Sequence, residues 1–137
     1  MRQLALIFTT LCFTACALMT NGTRQRVSLA AANGDSVIAT IGGKKVQLPA
    51  ENVSLSRRGE VIHIYNADNP KYMDSSVNSY ALNGPQNMGI TPGTYFDLFG
   101  ILLFFLPGLI ASYIDKGTGA QLKYIDSNLT VPVYFKK

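Results

Sequence analysis

The stretch SVIATIGGKKVQL, residues 36–48, contains two short apolar runs on either side of a glycine pair. Apolar residues alternate with polar or small ones over residues 36–41, and a second run follows at residues 46–48. Alternation with a period of two is typical of a strand with one buried face. Two glycines between such runs favour a reversal of the chain. This stretch therefore predicts strand, turn and strand, and it indicates a β class for the chain.

The same pattern extends in both directions along the sequence. Residues 26–30 also alternate, and Asn33-Gly34 has the composition of a tight turn, so residues 26–30 and 36–41 are predicted to form a hairpin. Further strands are predicted at residues 52–55, 61–65, 121–124 and 129–135. The predicted fold is mainly β: a small antiparallel sheet or sandwich, with one hydrophobic helix or helical hairpin inserted before the last strands.

Two stretches resemble segments of known exported proteins. Residues 36–72, SVIATIGGKKVQLPAENVSLSRRGEVIHIYNADNPKY, resemble the small β-domain of PEGA-type modules, and the similarity covers residues 23–72. The Pro-Glu-Gly-Ala signature is missing, and Ala31-Ala32-Asn33-Gly34 stands in its place. Residues 113–124, YIDKGTGAQLKY, resemble a segment of small uncharacterised lipoproteins that carry such a domain. The resemblance implies an envelope location and no established catalytic residues.

The first fifteen residues have the order of a secretory signal. Arg2 is followed by an apolar run at residues 4–13 and by the small residues Thr14 and Ala15. A run of about ten residues is too short to cross a bilayer, because a spanning helix needs roughly twenty. Residues 1–15 are therefore expected to be removed, which leaves 122 of the 137 residues.

Both cysteines, Cys12 and Cys16, lie in or next to this signal. Phe13-Thr14-Ala15-Cys16 resembles a bacterial lipobox, which implies cleavage before Cys16 and attachment of diacylglycerol and fatty acids such as palmitate to that cysteine. The alternative uses Ala15-Cys16-Ala17 as an ordinary A-x-A cleavage site and releases a soluble product. Two or three acyl chains hold a protein stably on a membrane. The resemblance to lipoproteins also implies that the protein faces the periplasm, and within that class the absence of aspartate after Cys16 favours the outer membrane.

The composition sets limits on the function. Twelve Lys and Arg against eight Asp and Glu give a mild positive charge, whereas nucleic-acid binding requires a denser basic stripe. Residues 66–94 form a long polar stretch, predicted to be a mobile loop with one short strand near residues 77–82, either a binding segment or a passive connector. The predicted organisation is a signal at 1–15, an acylated tether at 16–22, a β-module at 23–95, a hydrophobic segment at 96–115 and C-terminal strands at 116–137.

Residues 98–114, LFGILLFFLPGLIASYI, form an uncharged segment. As a straight helix it would measure about 26 Å, close to the lower limit for a bilayer span. Three interpretations remain open: a kinked span, a hairpin within one leaflet, or an element packed on the β-module. Pro107-Gly108 predicts a kink or a reversal. The predicted membrane-contacting residues are Leu98, Phe99, Ile101, Leu102, Leu103, Phe104, Phe105, Leu106, Leu109 and Ile110.

The C-terminal strands distinguish these interpretations. If they complete the sheet that precedes the apolar segment, the segment leaves and returns on one side, which disfavours a span. If the tail instead lies in the cytoplasm, Lys116, Lys123, Lys136 and Lys137 fit the positive-inside tendency.

The chain shows little sign of catalytic chemistry. His63 is the only histidine and is predicted to be a half-buried or surface strand residue, and one histidine without free cysteine forms no zinc-type ligand set. No serine lies in a G-x-S-x-G motif. The sequence therefore predicts no enzyme activity, metal or cofactor.

Two functions follow as expectations. The first is a membrane-anchored envelope lipoprotein with a non-catalytic structural or binding role, whose partners are membrane lipid and another envelope protein or the cell wall. The alternative is a small subunit of an envelope transport or secretion complex, in which the apolar segment packs against partner helices.

Overall fold

The computed structural model describes residues 21–92, 94–95, 102 and 105–137. These residues divide into two compact units. The β-unit consists of Gln25–Met88 and Tyr124–Lys137, and the helical unit contains the described residues of Met1–Arg24 and Gly89–Lys123. The β-unit is thus assembled from chain segments on both sides of the apolar segment.

The first sheet has three strands in the order β4-β1-β9. Its strands are β1 (Arg24–Ala31), β4 (Ala50–Ser56) and β9 (Asn128–Val131). β1 and β9 run parallel, and Leu29 lies opposite Leu129. This parallel pair is an addition to the predicted antiparallel pattern. It places a strand from the end of the chain beside one from its beginning.

The second sheet has four strands in the order β3-β2-β5-β6, and its neighbours run antiparallel. Its strands are β2 (Val37–Ile41), β3 (Lys44–Leu48), β5 (Val61–Ile64) and β6 (Ser75–Asn78). Gly42 and Gly43 join β2 to β3 with φ values of +54° and +77°. A two-residue type I′ turn needs positive φ at both positions, which glycine adopts without strain. The turn predicted at this glycine pair is confirmed.

The hairpin predicted between residues 26–30 and 36–41 is wrong. β1 and β2 belong to different sheets, because β4 and β9 occupy both edges of β1. The turn at Asn33-Gly34 does form, with the Gly34 amide donating to the Ala31 carbonyl oxygen at 2.9 Å. It carries the chain from one sheet to the other. A turn motif fixes a local reversal, whereas the pairing of strands depends on which edges other strands leave open.

The core of the β-unit is built from the alternating residues of both sheets. Val27, Leu29 and Ala31 of β1 are buried, and so are Val37, Ala39 and Ile41 of β2. The same core includes Leu48, Leu55, Ile62, Ile64, Tyr72, Leu82, Tyr124, Leu129 and Val131. The alternation predicted over residues 26–30 and 36–41 thus corresponds to one buried face on each of these two strands. The prediction of a mainly β chain with small antiparallel sheets and one helix before the last strands is confirmed.

The polar stretch 66–94 was predicted to be a mobile loop with one short strand near residues 77–82, and it contains more regular structure than that. It includes β6, two 3-10 helices (Ser79–Ala81 and Pro85–Asn87) and β7 (Met88–Ile90), which pairs with β8 (Leu122–Tyr124). Asn69 is buried and binds the backbone of β2, with its side chain accepting from the Ile38 amide and donating to the Ile38 carbonyl at 2.8 Å each. Side-chain amides therefore hold this polar segment against the sheet, which composition alone does not predict.

The helical unit contains α1 (Phe105–Thr118). The prediction for Pro107-Gly108 was a kink or a reversal. The helix continues through both residues, so the reversal is wrong. Proline removes one backbone donor, but its ring holds φ near the helical value, so a helix can continue through it. Among the described residues, no helix combines the length and the apolar character needed to cross a membrane.

Candidate functional site

A groove of about 920 Å³ lies on the β-unit. It combines apolar and aromatic side chains with two polar residues and two lysines. Its lining residues are Asn66, Met73, Asp74, Val133, Tyr134, Phe135, Lys136 and Lys137. Three of these side chains are large, apolar and exposed: Met73 by 50%, Tyr134 by 57% and Phe135 by 60%.

Backbone pairing between two short segments forms the wall of this groove. The Met73 amide donates to the Tyr134 carbonyl oxygen at 2.9 Å, and the Lys136 amide donates to that of Lys71 at 3.0 Å. Tyr72 and Phe135 form the β-bridge between these contacts, and their rings lie 5.1 Å apart. The last residues of the chain are therefore fixed beside residues 71–73.

Tyr72 anchors this wall in the core. Its ring is buried, its hydroxyl donates to the Asp35 carboxylate, and the Asn33 side-chain amide donates to the hydroxyl oxygen at 2.8 Å. The bond to Asp35 raises the pKa of Tyr72, because ionisation would remove the donated proton, and burial raises it further. Tyr72 is therefore a neutral hydrogen-bond donor at physiological pH, and it joins the Asn33-Gly34 turn to the groove.

Asp74 and Asn66 form the polar side of the groove. The Asn66 amide donates to Oδ1 of Asp74 at 2.7 Å, and the Asn66 side chain donates to the Tyr72 carbonyl oxygen at 2.6 Å. These bonds fix the carboxylate of Asp74 at the groove surface. A carboxylate has about four acceptor positions, so Asp74 retains capacity to accept from a ligand.

Two smaller grooves on the β-unit also reach Asp74. One, of about 650 Å³, includes Thr40, Lys45, Tyr65 and Asn66. The other, of about 220 Å³, includes His63, Tyr65, Ser75 and Ser76. The rings of His63 and Tyr65 are stacked 5.6 Å apart with an angle of 8° between their planes. The three grooves share Asp74, and we call them together the Asp74 groove system.

The helical unit carries an apolar surface of a different kind. Leu109, Ile110, Tyr113 and Ile114 are exposed by 42%, 54%, 81% and 47%. Residues four apart lie on the same face of a helix, so these side chains form one continuous stripe, which we call the α1 stripe.

Two polar residues lie on the other side of α1, with Ser112 half-buried and Asp115 buried. Ser112 binds the Gln121 side chain at 3.2 Å, and Asp115 is fully buried. Within the described part of the chain, neither carboxylate oxygen of Asp115 has a hydrogen-bond partner. The stripe therefore faces away from the interior of the helical unit, although its side chains are the more apolar ones.

The predicted membrane-contacting residues are only partly described. Leu109 and Ile110 lie on the α1 stripe, and Leu102 is 80% exposed. Phe105 and Leu106 begin α1. Cys16, Leu98, Phe99, Ile101, Leu103 and Phe104 lie outside the described residues. Tyr113 and Ile114 were missing from the prediction, although their spacing from Leu109 and Ile110 would have indicated them.

Sequence reasoning missed the Asp74 groove system. His63 was predicted to be a half-buried or surface strand residue, and its burial in β5 is intermediate, as expected. The segments 71–74 and 133–137 carry no recognised motif, and the one signal available in them is the run of two aromatic residues and two lysines at 134–137. Among the described residues, no group of three His, Cys, Asp or Glu side chains is placed to hold a metal ion.

Comparison of the chain with protein-family models, with curated proteins and with solved structures found no match. The resemblance to PEGA-type lipoproteins stays a prediction.

Proposed function

We propose that this protein is a bacterial envelope lipoprotein, anchored through Cys16, with a non-catalytic binding role for its β-unit and contact between its helix and membrane lipid. It faces the periplasm, with the outer membrane as the favoured site. The observation that carries this proposal is the α1 stripe, with Leu109, Ile110, Tyr113 and Ile114 open to solvent on one helix face.

An exposed stripe of this kind favours an apolar environment. Burying a Leu or Ile side chain is worth about 1.5–3 kcal/mol relative to leaving it in water. Amphipathic helices of peripheral membrane proteins lie in the membrane interface with their apolar face in the acyl region. The stripe is therefore suited to lie on lipid without crossing it.

Lipid is the favoured occupant because the proposed anchor keeps the chain near a bilayer. Residues 17–23 separate Cys16 from β1, and seven residues reach about 23 Å when fully extended. A second contact with the same membrane then requires little further ordering of the chain.

The sheet topology supports a surface contact and argues against a single crossing. β1 precedes the apolar segment, β9 follows it, and the two strands are hydrogen-bonded neighbours. A single crossing between them would place these strands on opposite sides of the bilayer. The β1–β9 pairing therefore disfavours the interpretation with a cytoplasmic tail, which was based on Lys116, Lys123, Lys136 and Lys137.

Metabolic labelling with an alkyne analogue of palmitate tests the anchor. The wild-type protein should incorporate label, Cys16→Ala should incorporate none, and Cys12→Ala should label like wild type. Cys12→Ala is the matched control because it removes the other cysteine of the signal region. Equal labelling of Cys16→Ala and wild type would overturn the lipid anchor.

Photocrosslinking tests the helix contact. The acylated protein, reconstituted in vesicles with a diazirine phospholipid, should form lipid adducts on α1, and Ile110→Glu/Ile114→Glu should reduce their yield at least fivefold. Ile125→Glu is the matched control, because Ile125 is a 62% exposed isoleucine of the β-unit. Crosslinks from α1 to a copurifying protein in cells, without lipid adducts, would instead support the subunit of a transport or secretion complex.

A further inference from the structure

We infer that the Asp74 groove system binds a glycan strand whose sugars carry carboxylates. The inference rests on the binding role proposed for the β-unit, but it is independent of the lipid anchor and of the α1 stripe.

The aromatic residues of the main groove provide a stacking surface. Tyr134 and Phe135 are more than half exposed, and Met73 lies beside them at 50% exposure. Exposed apolar surface of this kind, next to convergent polar groups, is typical of ligand sites. The C–H face of a pyranose ring is apolar and packs flat against an aromatic ring, while its hydroxyls point outward to polar side chains.

Asp74 and Asn66 supply those polar side chains. The bond from the Asn66 amide fixes Oδ1 of Asp74 at 2.7 Å, and the second carboxylate oxygen remains available to sugar hydroxyls. A carboxylate accepts hydrogen bonds only, which matches the donors that adjacent hydroxyls present. The pre-organised carboxylate loses little freedom when a ligand binds.

The charge around the groove favours an anionic sugar. Lys136 and Lys137 line the groove, and exposed Lys71 is bonded through its carbonyl oxygen to the Lys136 amide. None of these three lysines forms an ion pair with another described residue. Aromatic rings and one carboxylate alone would suit a cationic ligand. The three lysines outnumber the single carboxylate of Asp74 and would repel such a ligand. A ligand carboxylate complements them.

The arrangement of the grooves indicates a polymer. The two smaller grooves add hydroxyl and ring groups from Thr40, Ser75, Ser76, His63 and Tyr65. Because all three grooves share Asp74, a strand of several sugars can pass Asp74 and occupy more than one groove. A phospholipid acyl chain fits the lining less well, since it would press hydrocarbon against Asp74 and Asn66 without hydrogen bonds.

Titration calorimetry with two matched tetrasaccharides tests the inference. The acidic probe alternates N-acetylglucosamine with N-acetylmuramic acid that bears a free lactyl carboxylate, and the neutral probe is chitotetraose. The full acylated protein in detergent should bind the acidic probe at least fivefold more tightly. Equal affinity for the two probes, or binding of neither, would overturn the inference.

Substitutions assign the binding to the groove. Tyr134→Ala should lower the affinity for the acidic probe at least tenfold. Tyr113→Ala is the same change at an exposed tyrosine of α1, and it should leave that affinity unchanged. Lys136→Gln/Lys137→Gln should lower affinity for the acidic probe to that for chitotetraose and leave chitotetraose binding unchanged. Lys44→Gln is its control, because Lys44 is exposed and does not line the grooves.

The outcomes also separate this inference from the proposed function. Tyr134→Ala should retain palmitate labelling and lipid crosslinking of α1. If the wild-type protein lacks either of these two properties, the proposed function fails while the evidence for glycan binding is unaffected. Circular dichroism should be unchanged in each variant, since the substituted side chains are exposed. An unchanged affinity in Tyr134→Ala, or competition of phosphatidylglycerol micelles for the groove, would overturn glycan binding there.

Discussion

Gly59 shows how one residue fixes a connection in the β-unit. It lies between β4 and β5 with φ at +88°, and its amide donates to the Ser56 carbonyl oxygen at 3.1 Å. The Tyr80 ring covers the turn, and the Tyr80 hydroxyl donates to the Arg57 carbonyl oxygen at 3.0 Å. A Cβ at Gly59 would lie 2.4 Å from Cδ2 of Tyr80. Both the backbone conformation and the space therefore require glycine.

Gly59→Ala should destabilise the protein by more than Gly34→Ala. Gly34 also has a positive φ, +76°, but a Cβ there meets no atom within 4 Å. The left-handed conformation alone costs about 1–2 kcal/mol for a residue with a Cβ. Urea unfolding should give about that loss for Gly34→Ala and at least 1 kcal/mol more for Gly59→Ala, a typical overpacking penalty. Equal losses would show that the Tyr80 ring moves aside freely.

At the scale of elements, α1 ends in a specific pair of backbone hydrogen bonds. The Ala120 amide donates to the Asp115 carbonyl oxygen at 3.0 Å, and the Gly119 amide donates to that of Lys116 at 3.3 Å. This pair of bonds, with Gly119 at φ +78°, is a Schellman motif. The segment Asp115-Lys116-Gly117-Thr118-Gly119 therefore terminates a helix.

Gly119→Ala and Gly117→Ala should change the stability of the helix in opposite directions. Gly119 needs the left-handed conformation, so alanine there should cost about 1–2 kcal/mol. Gly117 lies within α1, and a Cβ at this position would meet nothing within 4 Å. Alanine there should stabilise the helix by up to about 1 kcal/mol. Hydrogen exchange of the α1 amides measures both changes, and faster exchange in Gly117→Ala would contradict this account.

At the scale of the whole molecule, the β-unit is built from chain segments that precede and follow the apolar segment. β9 supplies Leu129 and Val131 to the core, both buried, and it pairs with β1 across about a hundred residues of sequence. Closing such a long loop has an entropic cost, which the burial of these side chains must exceed. We therefore expect the two halves of the β-unit to lie on the same side of any membrane that the protein contacts.

Single cysteines before and after the apolar segment should react alike. Ser36 and Ser127 are both exposed residues of the β-unit, so Ser36→Cys and Ser127→Cys are matched reporters. In proteoliposomes, a membrane-impermeant maleimide should either label both reporters to the same extent or label neither. Labelling of one reporter, with the other reacting only after detergent is added, would demonstrate a crossing and contradict the β1–β9 pairing.

The sequence by itself determined the strands, because alternation and turn residues act locally. It located the glycine turn between β2 and β3 and the alternating runs that form β1 and β2. It also placed a hydrophobic helix or helical hairpin before the last strands, with a kink or a reversal at Pro107-Gly108. These features depend on residues that are neighbours in sequence, so a short stretch of the chain is enough to predict them.

Only the tertiary structure decided which strands pair and which surfaces remain open. The Asn33-Gly34 turn leads to a new sheet because β4 and β9 already occupy the edges of β1. The groove beside Asp74 joins residues 66–74 to residues 133–137, which are distant in sequence and share no motif. Contacts of this kind arise from competition among all strands and side chains for the same edges and the same buried volume, and no single stretch of residues contains that information.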